Sequence, residues 1–379
     1  MRCDGMGIED FETVNLFKYL FKQYDIKIYL VGGAVRDMLL NIQPMDFDFA
    51  AEVSEDDHKI ISTEISKKLE CKMDYNDYYH TAKFFYNNKD IDFVMCRKES
   101  YDSIASKPII KPASIFDDLK RRDFTLNAMA IPLFDDFTII DPLNGRGDIK
   151  QRKIKILHKN SFKDDPTRIF RGIKYASRFD FEFEEFTEKL IEDAVYKGYI
   201  NYIKPERIKL ELELLFNEDG IINSIFYLNK YKIIDSIIDE ELNINNKFNL
   251  DEFKTTSCNN KFCALFFDNN EKVLKKLAES FSLGEDFIKE DGKIKCIQKE
   301  LLKDDESIYY YFLKNNSQSL VSVLKLLFYN DRRVKIFLQW KDKLIVDKNK
   351  IKNIEPSQRR EALAKEKLAL LKKKIGGGI

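Results

Sequence analysis

The sequence is poor in the residues and runs that mark metal-binding, secreted or membrane-spanning proteins. Its 379 residues include three histidines and six cysteines, and no two cysteines have the C-x-x-C spacing of a zinc or redox site. Scattered cysteines favour reduced thiols over a disulfide framework. No uncharged run approaches the roughly 18 residues of a transmembrane helix, and the N-terminal MRCDGMGIEDFETV lacks the apolar core of a signal peptide. These absences predict a soluble, cytoplasmic protein without a membrane partner.

The chain also lacks a net charge. Lysine plus arginine and aspartate plus glutamate both number 64, so no global field marks the protein as a binder of polyanions, although charge can be segregated along a chain. Hydrophobic residues make up 44% and charged residues 34%, which is ordinary for a globular protein. The length predicts two or three domains.

The stretch 29–50, YLVGGAVRDMLLNIQPMDFDFA, carries the strongest local signal. It predicts a short strand, a turn at Gly32 and Gly33, a helix, and a second strand that carries Asp46 and Asp48. Glycines at a strand-to-helix turn let backbone N–H groups approach a phosphate, and aspartates two apart on a strand face the same side. Together they indicate a Mg²⁺–nucleotide site. Read alone, D-x-D is more typical of solvated acids at a hairpin rim, and the G-G-x-V-R-D motif ahead of it reverses that preference.

A third acid follows in a strand-like region. The runs TAKFFY (81–86) and DIDFVMCR (90–97) predict two strands joined by a turn. Asp92 lies among apolar residues of the second run, where a buried carboxylate needs a partner or a metal. Asp92 is therefore either a third acid of the metal site or an acid at an exposed strand edge.

The next segment combines a predicted loop with a cluster of polar residues. Residues 98–116 predict a loop or mobile flap, and Asp117 or Asp118 is expected to cap the helix that follows. In the motif RRDFTLNAMA, the planar guanidinium of Arg122 suits phosphate oxygens. Asp123 and Asn127, four apart on the predicted helix, can bond ribose hydroxyls. The Arg-Arg-Asp sequence is also compatible with a solvated charge cluster.

Helical periodicity dominates after the first domain, which we expect to end near residue 150. The motif DDPTRIFRGIKYASRF predicts a helix that starts at Asp164-Asp165-Pro166. Its cations recur at three- and four-residue spacing and predict one basic ridge, which is either a solvated face or a functional surface. These cations are Arg168, Arg171, Lys174 and Arg178. The Lys-rich end of the chain predicts a last helix from Pro356 to Ile375.

Five motifs, in order, resemble those of the bacterial class II tRNA nucleotidyltransferases, a family of the polymerase-β-like nucleotidyltransferase superfamily. They are LVGGAVRD, DFD, RRDFTLNAMA, DPLNG and DDPTRIFRGIKYASRF. The resemblance implies an α+β fold, with a catalytic head built on a small mixed sheet over residues 1–150. An all-helical neck that recognises the nucleotide base would follow over 151–219, and a helical body and tail that bind tRNA over 220–379.

The resemblance also implies roles for single residues. Asp46 and Asp48 would hold Mg²⁺, with Asp92 as a further catalytic acid. The nucleotide-binding residues would be Gly32, Gly33, Arg36 and Arg122 for the triphosphate, Asp123 and Asn127 for the ribose, and Asp165 and Arg168 for the base, with Arg171 and Lys174 nearby. Two positions depart from the family pattern, which has Glu-Asp where this chain has Asp164-Asp165, and arginine where it has Lys174.

The implied reaction is transfer of CMP and AMP from CTP and ATP to the 3′ end of tRNA, with release of pyrophosphate and Mg²⁺ as cofactor. No protein partner is evident from the sequence. A-adding or CC-adding relatives share these motifs and stay open as alternatives. Poly(A) polymerases also share them, but tend to carry a basic stretch ahead of the catalytic acids where this chain has Val31-Gly32-Gly33-Ala34. A catalytically inactive RNA-binding module and an antibiotic-modifying nucleotidyltransferase are alternatives of other classes.

Overall fold

The computed structural model of the chain describes residues 11–135, 138–347, 350–352 and 354–376. Cys3 and the first residue of the strand expected at 137–140 lie outside these ranges. The chain divides into two compact units, one that ends at Ile203 and one that begins at Lys204. The functional boundaries expected at residues 150 and 219 stay a prediction. None of the described helices has the length and apolar character that a membrane crossing requires.

A six-stranded mixed sheet occupies the N-terminal part of the first unit. Its strand order is β3-β4-β5-β2-β1-β8, with β2 parallel to β5 and the other neighbours antiparallel. The strands are β1 (Lys27–Val31), β2 (Phe47–Glu52), β3 (Lys72–Asn76), β4 (Thr81–Tyr86), β5 (Lys89–Met95) and β8 (Ala130–Pro132). The predicted strands at 81–86 and 90–97 therefore correspond to β4 and β5.

Aromatic side chains attach helices α1 (Glu12–Phe21) and α3 (Glu55–Leu69) to one face of this sheet. Phe17 of α1 stacks on Phe49 of β2 with ring centroids 5.0 Å apart, and Phe21 lies 5.0 Å from Phe93 of β5. All four rings are fully buried. Because side chains alternate along a strand, burying Phe49 and Phe93 turns their neighbours Asp48 and Asp92 to the opposite face.

The opposite face is covered only in part. Helix α4 (Ile115–Lys120) contributes Ile115 and Leu119 to a buried cluster that includes Tyr29, Ala50 and Ala130 of the sheet. On the same face, the side chains of Asp92 and Lys83 stay 32% and 40% exposed. The sheet thus places its acids beside a well-packed core but within reach of solvent.

The connection before α4 is more regular than the sequence predicted. Residues 98–116 are not a simple loop, because β6 (Arg97–Ser100) and β7 (Ile109–Pro112) form an antiparallel hairpin. The cap of α4 is Ser114, whose hydroxyl accepts a hydrogen bond from the backbone N–H of Asp117, so the expectation of an Asp117 or Asp118 cap is wrong. After α4 the chain forms a 3₁₀ turn at Thr125–Asn127, not the predicted α-helix.

Helix α7 (Thr167–Phe179) is the longest of the remaining elements of the first unit. Its apolar side includes Ile169, Ile173 and Ala176, all fully buried as predicted. A Cβ on Gly172 would lie 2.8 Å from the Phe124 ring, so glycine allows α7 to approach the 3₁₀ turn closely. The elements are α2 (Gly33–Leu39), α5 (Gly145–Lys150), β9 (Lys153–Ile154), α6 (Ser161–Asp164), α7 (Thr167–Phe179), β10 (Glu182–Phe183) and α8 (Glu185–Tyr196).

The described part of the second unit consists of helices and their connections. They are α9 (Pro205–Phe216), α10 (Ile221–Lys230), α11 (Ile233–Ile238), α12 (Leu250–Thr255), α13 (Cys258–Phe266), α14 (Glu271–Ser280), α15 (Glu285–Glu300), α16 (Asp305–Lys314), α17 (Gln318–Leu327), α18 (Arg332–Trp340) and α19 (Arg359–Lys374). The Lys-rich helix α19 packs on α16 and buries Ala364, Leu368 and Leu371. It is thus part of the unit's core as well as of its surface.

Candidate nucleotide-binding and catalytic site

Five residues on neighbouring strands form one line across the open face of the sheet. Asp48 of β2 lies opposite Val31 of β1 and opposite Asp92 of β5, and Asp92 in turn lies opposite Lys83 of β4. Asp74 of β3 completes the line opposite Lys83. Residues paired in register face the same side of a sheet. We call this set (Val31, Asp48, Asp92, Lys83 and Asp74) the central row.

Burial and neighbouring charges oppose the ionisation of Asp48 and Asp92 in the central row. Burial, together with the charge of Asp92, raises the pKa of Asp48 to about 6, although Arg122 opposes this shift. Burial also raises the pKa of Asp92, against the opposing charge of Lys83. Asp46 is exposed, immediately before β2, and its charge adds to that felt by both acids. A cation at this position would relieve the repulsion.

The donor set fits a magnesium ion only in part. The described residues contain no group of three or more acidic, histidine or cysteine side chains placed to hold a metal. However, Oδ1 of Asp92 is buried without a hydrogen-bond partner among the described residues, 3.9 Å from Lys83 Nζ. Mg²⁺ is commonly held by one or two carboxylates together with substrate phosphates and water. The residues therefore suit a Mg²⁺ ion that arrives with a nucleotide.

Gly32 joins the central row to the predicted phosphate-binding arginine. Its φ of +71° belongs to a region that other residues rarely adopt. A Cβ at this position would lie 2.8 Å from Nη1 of Arg122 and 3.3 Å from Oδ2 of Asp48. Gly33 differs, because its Cβ position is 3.4 Å from Nη2 of Arg36 and its φ is not positive. Gly32 thus leaves room for the side chains of Arg122 and Asp48, which both approach it.

Asp118 fixes the orientation of Arg122 from within the core. Its fully buried carboxylate accepts hydrogen bonds from Nη2 of Arg122 at 3.0 Å and from Nη2 of Arg121 at 2.7 Å. Burial opposes ionisation, yet the two arginines hold the pKa of Asp118 below its usual value. Sequence reasoning missed this role because it assigned Asp118 to a helix cap.

A second carboxylate, Glu99 of β6, extends this network. It accepts hydrogen bonds from Nε of Arg97 at 2.9 Å, from Nη1 of Arg121 at 3.2 Å and from the Tyr101 hydroxyl at 2.7 Å. Although burial opposes ionisation, Arg121 and Arg97 hold the pKa of Glu99 below its usual value. Sequence reasoning missed this cluster, for which the Arg-x-Glu-x-Tyr spacing at Arg97, Glu99 and Tyr101 is the available signal. Through Glu99, the β6–β7 hairpin is therefore attached to Arg121, the neighbour of Arg122.

The two predicted ribose-binding residues bond to each other. Nδ2 of Asn127 donates to Oδ1 of Asp123 at 3.0 Å across the 3₁₀ turn. Oδ2 of Asp123 accepts from Arg171 of α7, with Nη2 at 2.6 Å. Although burial favours the neutral acid, Arg171 holds the pKa of Asp123 well below its usual value. The pair was expected on one face of an α-helix; instead the turn and α7 bring it together.

Arg36 lies in an aromatic pocket between α2 and α7. Its guanidinium carbon is 4.8 Å from the ring centroid of Phe179 and 5.4 Å from that of Tyr175. Nη1 donates to Oδ1 of Asn127 at 2.7 Å, and Nη2 pairs with Asp37 at 2.7 Å. In this structure Arg36 supports Asn127, and its assignment to the triphosphate stays a prediction.

The four cations of α7 do not form the single basic ridge that their spacing predicted. Arg168 is buried, where its guanidinium donates to the Ser161 hydroxyl and to the backbone carbonyl of Arg121 at 2.8 Å. Arg171 is half-buried against Asp123, whereas Arg178 is exposed. The prediction of a single basic ridge is wrong because Arg168 faces the interior, toward Arg121, instead of solvent.

The two residues expected to recognise the base flank the start of α7. Oδ1 of Asp165 accepts from the backbone N–H of Thr167 at 3.0 Å and from its hydroxyl at 2.6 Å. Arg168 is tied to the carbonyl of Arg121, the neighbour of Arg122. Lys174 lies further along the helix, with Nζ 5.6 Å from the Tyr175 ring centroid. Arg168 is therefore hydrogen-bonded to Arg121, the residue next to the predicted phosphate-binding Arg122.

Comparison with known proteins places this geometry in context. Residues 28–155 match the family model of the Poly A polymerase head domain. The chain is 38% identical over 205 residues to the A-adding tRNA nucleotidyltransferase of Halalkalibacterium halodurans. The aligned region covers 52% of this chain and 47% of that protein. It spans less than half of the length of the A-adding relatives that it matches.

Solved structures match over most of the chain. A CCA-adding enzyme in an apo form superposes with a TM-score of 0.77 and 26% identity, over 95% of this chain and 92% of that one. A tRNA nucleotidyltransferase in complex with a primer tRNA and an incoming ATP analogue superposes with a TM-score of 0.69 and 27% identity, over 86% of this chain and 98% of that one. These matches confirm the resemblance and the fold class that the motifs predicted: a mixed-sheet head followed by helices.

Proposed function

We propose that this chain, in which residues 28–155 are a Poly A polymerase head domain, is a tRNA nucleotidyltransferase that adds CMP and AMP from CTP and ATP to the 3′ end of tRNA. The observation that carries the proposal is that the side chains of Arg122 and Asp48 both approach Gly32, with Asp92 next to Asp48 in the central row. Paired carboxylates beside a glycine turn and a guanidinium suit a metal-bound triphosphate.

The reaction follows from these positions. The 3′-hydroxyl of the tRNA attacks the α-phosphorus, the bond to the bridging oxygen of the β-phosphate breaks, and pyrophosphate leaves. Mg²⁺ held by Asp46 and Asp48 would neutralise phosphate charge and lower the pKa of the attacking hydroxyl. Asp92 lies opposite Asp48 in the central row and faces the same side, as the proposed further catalytic acid. Arg122 and the backbone at Gly32 and Gly33 hold the triphosphate.

Nucleotide choice is assigned to the residues around α7. Asp165 supplies hydrogen-bond acceptors and Arg168 supplies donors, so the pair can match the edges of cytosine and adenine, with Arg171 and Lys174 nearby. Asp123 and Asn127 hold the ribose. The bond from Arg168 to the Arg121 carbonyl supports this assignment because it ties base recognition to the position of Arg122. A tRNA substrate would also place the protein in the cytoplasm.

Addition of the terminal AMP alone is a second candidate. The relative that is 38% identical is named an A-adding enzyme, whereas the structure that superposes over 92% of its length is named a CCA-adding enzyme. The two activities differ in whether CTP is a substrate.

A direct assay tests the function and separates the two candidates. The protein is incubated with three tRNAs that lack the 3′ CCA, end in C or end in CC, each with CTP, ATP or both. A CCA-adding enzyme extends all three, whereas an A-adding enzyme extends only the tRNA that ends in CC. Failure to extend any of them in the presence of Mg²⁺ would overturn the proposal.

The matched variants are Asp48→Asn and Asp56→Asn. Asp48→Asn should lower kcat by about a thousandfold or more, because it removes a carboxylate that neutralises transition-state charge. Asp56 is exposed in the first turn of α3, so Asp56→Asn should leave the rate unchanged. Substantial Mg²⁺-dependent incorporation by Asp48→Asn would show that the acid has been misassigned.

A further inference from the structure

Tyr175 of α7 lies next to the proposed ribose-binding pair, Asp123 and Asn127. Its ring is buried and stands edge-on to the ring of Phe124, with centroids 5.9 Å apart. Its hydroxyl accepts a hydrogen bond at 3.3 Å from Nη2 of Arg171, one helical turn earlier. Burial and the charge of Asp123 raise the pKa of Tyr175, so the hydroxyl keeps its proton. Tyr175 therefore adds a neutral hydroxyl to the polar groups around the pair.

The carboxylate of Asp123 is already fully hydrogen-bonded within the protein. Oδ1 accepts from the backbone N–H of Phe124 at 2.8 Å and from Nδ2 of Asn127 at 3.0 Å. Oδ2 accepts from Nε of Arg171 at 2.8 Å and pairs with its Nη2 at 2.6 Å. A carboxylate offers about four lone-pair positions, and these contacts occupy all of them. Within the ribose-binding pair, the direct contact with a sugar hydroxyl therefore falls to Asn127.

The surrounding groups determine which way the amide of Asn127 points. A guanidinium only donates and a carboxylate only accepts, so the amide oxygen faces Nη1 of Arg36 at 2.7 Å and the nitrogen faces Asp123. The second hydrogen of that nitrogen is directed to Tyr175, because hydrogen bonding from Asn127 lowers the pKa of the Tyr175 hydroxyl against the effect of burial. What remains for a ligand is one lone pair on Oδ1 of Asn127.

A single acceptor position selects a ligand group that donates. The 2′-hydroxyl of a ribonucleotide can donate a hydrogen bond to it, whereas the 2′-carbon of a deoxyribonucleotide cannot. Arg36 connects this acceptor to the turn proposed to hold the triphosphate, since its Nη2 lies 3.4 Å from the position of a Cβ on Gly33. The acceptor is thus placed to meet the sugar of a nucleotide bound at that turn.

From these contacts we infer that Tyr175 is a positioning residue that sets the preference of the enzyme for ribonucleotides over deoxyribonucleotides. Its hydroxyl holds the amide nitrogen of Asn127 and the guanidinium of Arg171, so that Oδ1 of Asn127 accepts from the 2′-hydroxyl. The inference rests on the proposed nucleotidyl transfer and adds the residue that orients the sugar contact.

The test compares ATP with dATP in single-nucleotide addition to tRNA ending in CC, with the full-length protein. The wild-type protein should prefer ATP by about a hundredfold or more in kcat/KM, because a site built to bond a hydroxyl rejects an analogue without it. Tyr175→Phe keeps the ring and removes the oxygen. It should lower kcat/KM for ATP about tenfold more than for dATP, as expected for one weakened hydrogen bond. A loss of general stability would lower both values by the same factor.

The 2′-fluoro analogue of ATP tests the direction of the hydrogen bond. Fluorine at this position cannot donate, so the wild-type protein should use the analogue about as poorly as dATP. In Tyr175→Phe, the preference for ATP over the analogue should fall by the same factor as the preference over dATP. Efficient use of the analogue by the wild-type protein would show that the 2′-hydroxyl is not a donor and would overturn the inference.

The matched control is Tyr196→Phe. Tyr196 lies on α8 and is 91% exposed, so this variant should keep the wild-type preference for ATP over dATP. If the wild-type protein extends tRNA but Tyr175→Phe changes both kcat/KM values equally, or neither, the assignment of Tyr175 is wrong and the proposed function stands. If the wild-type protein extends no tRNA, both are overturned.

Discussion

At residue scale, Gly32 makes room for the side chains of Arg122, the proposed phosphate ligand, and Asp48, the proposed metal ligand. Two independent constraints meet there, a φ of +71° and a clearance of only 2.8 Å between a Cβ and Nη1 of Arg122. The first would strain any side chain, and the second would displace Arg122 from Asp48. Both act at the point where the triphosphate is proposed to bind.

Gly32→Ala should therefore lose activity through nucleotide binding. We expect kcat/KM for ATP to fall by at least about a hundredfold, because small displacements of a positioning group carry costs of this order, while the protein stays folded. Gly292→Ala is the control, since nothing lies within 4 Å of a Cβ at that helical position. It should be fully active and slightly more stable, as alanine favours a helix. An active Gly32→Ala enzyme would contradict the proposed geometry.

Asp118 offers a second test at residue scale. It is fully buried and neutralises Arg121 and Arg122, so Asp118→Asn should lower the free energy of unfolding by about 3–5 kcal/mol, the usual cost of breaking a buried ion pair on one side. In the protein that remains folded, KM for ATP should rise because Arg122 loses its anchor. The neighbouring Asp117→Asn is the control, since its side chain is 48% exposed. Equal stability of the two variants, measured by urea unfolding, would exclude this role for Asp118.

At the scale of elements, α3 is attached to the sheet by a buried histidine. His58 stacks on Phe93 of β5, and its Nε2 and Nδ1 lie 3.2 Å from the Phe93 carbonyl and 3.0 Å from the Tyr75 hydroxyl. A carbonyl only accepts, so Nε2 carries the proton and Nδ1 accepts from Tyr75. Burial lowers the pKa of His58 from 6.5 to about 4.

The sign of the resulting pH dependence follows from proton counts. Between pH 6.5 and pH 4 the unfolded chain binds a proton at His58 that the folded chain does not, so stability is lost as the pH falls through this window. The wild-type protein should lose about 2–3 kcal/mol more than His58→Gln over this range. Urea unfolding of both proteins at the two pH values measures the difference. Equal losses would mean that His58 is protonated in the fold.

Elements formed by local rules were the ones that the sequence predicted well. The alternation in β2 placed Asp48 correctly, but Asp46, which was predicted on the same strand, lies just before it. The cap of α3 at Ser54 and the apolar side of α7 follow the same kind of local rule. Such features depend on periodicity and on capping, which neighbouring residues determine.

Contacts between distant elements escaped prediction. Lys83 joins the central row only through the register of β4 with β5, and register depends on the whole sheet. Glu99 and Asp118 belong to an ion network between the hairpin and α4, and Arg168 is buried because that network offers it the Arg121 carbonyl. A spacing rule treats each of these as a solvated charge, because it contains no information about partners far along the chain.

At the scale of the whole molecule, the position of the domain boundary decides which fragments can fold. The sequence predicted an end of the catalytic head near residue 150, whereas the first compact unit extends to Ile203. The difference is α7, which supplies Arg171 to the buried Asp123 and packs its Tyr175 ring edge-on against Phe124. A head that ends at residue 150 would leave that carboxylate without its cation and open the core around the 3₁₀ turn.

Two truncations therefore distinguish the boundaries. A fragment of residues 1–203 should unfold cooperatively on heating and still bind ATP, because every contact described for the nucleotide site lies within it. A fragment of residues 1–150 should show no cooperative transition, since an unpaired buried charge alone costs about 3–5 kcal/mol, a large part of the stability of a small domain. Differential scanning calorimetry measures both. If residues 1–150 melted cooperatively and bound ATP as the longer fragment does, α7 would not belong to the catalytic unit.

If the helical second unit also binds tRNA, as the resemblance implies, the 1–203 fragment will bind tRNA more weakly than the full chain while its affinity for ATP is unchanged.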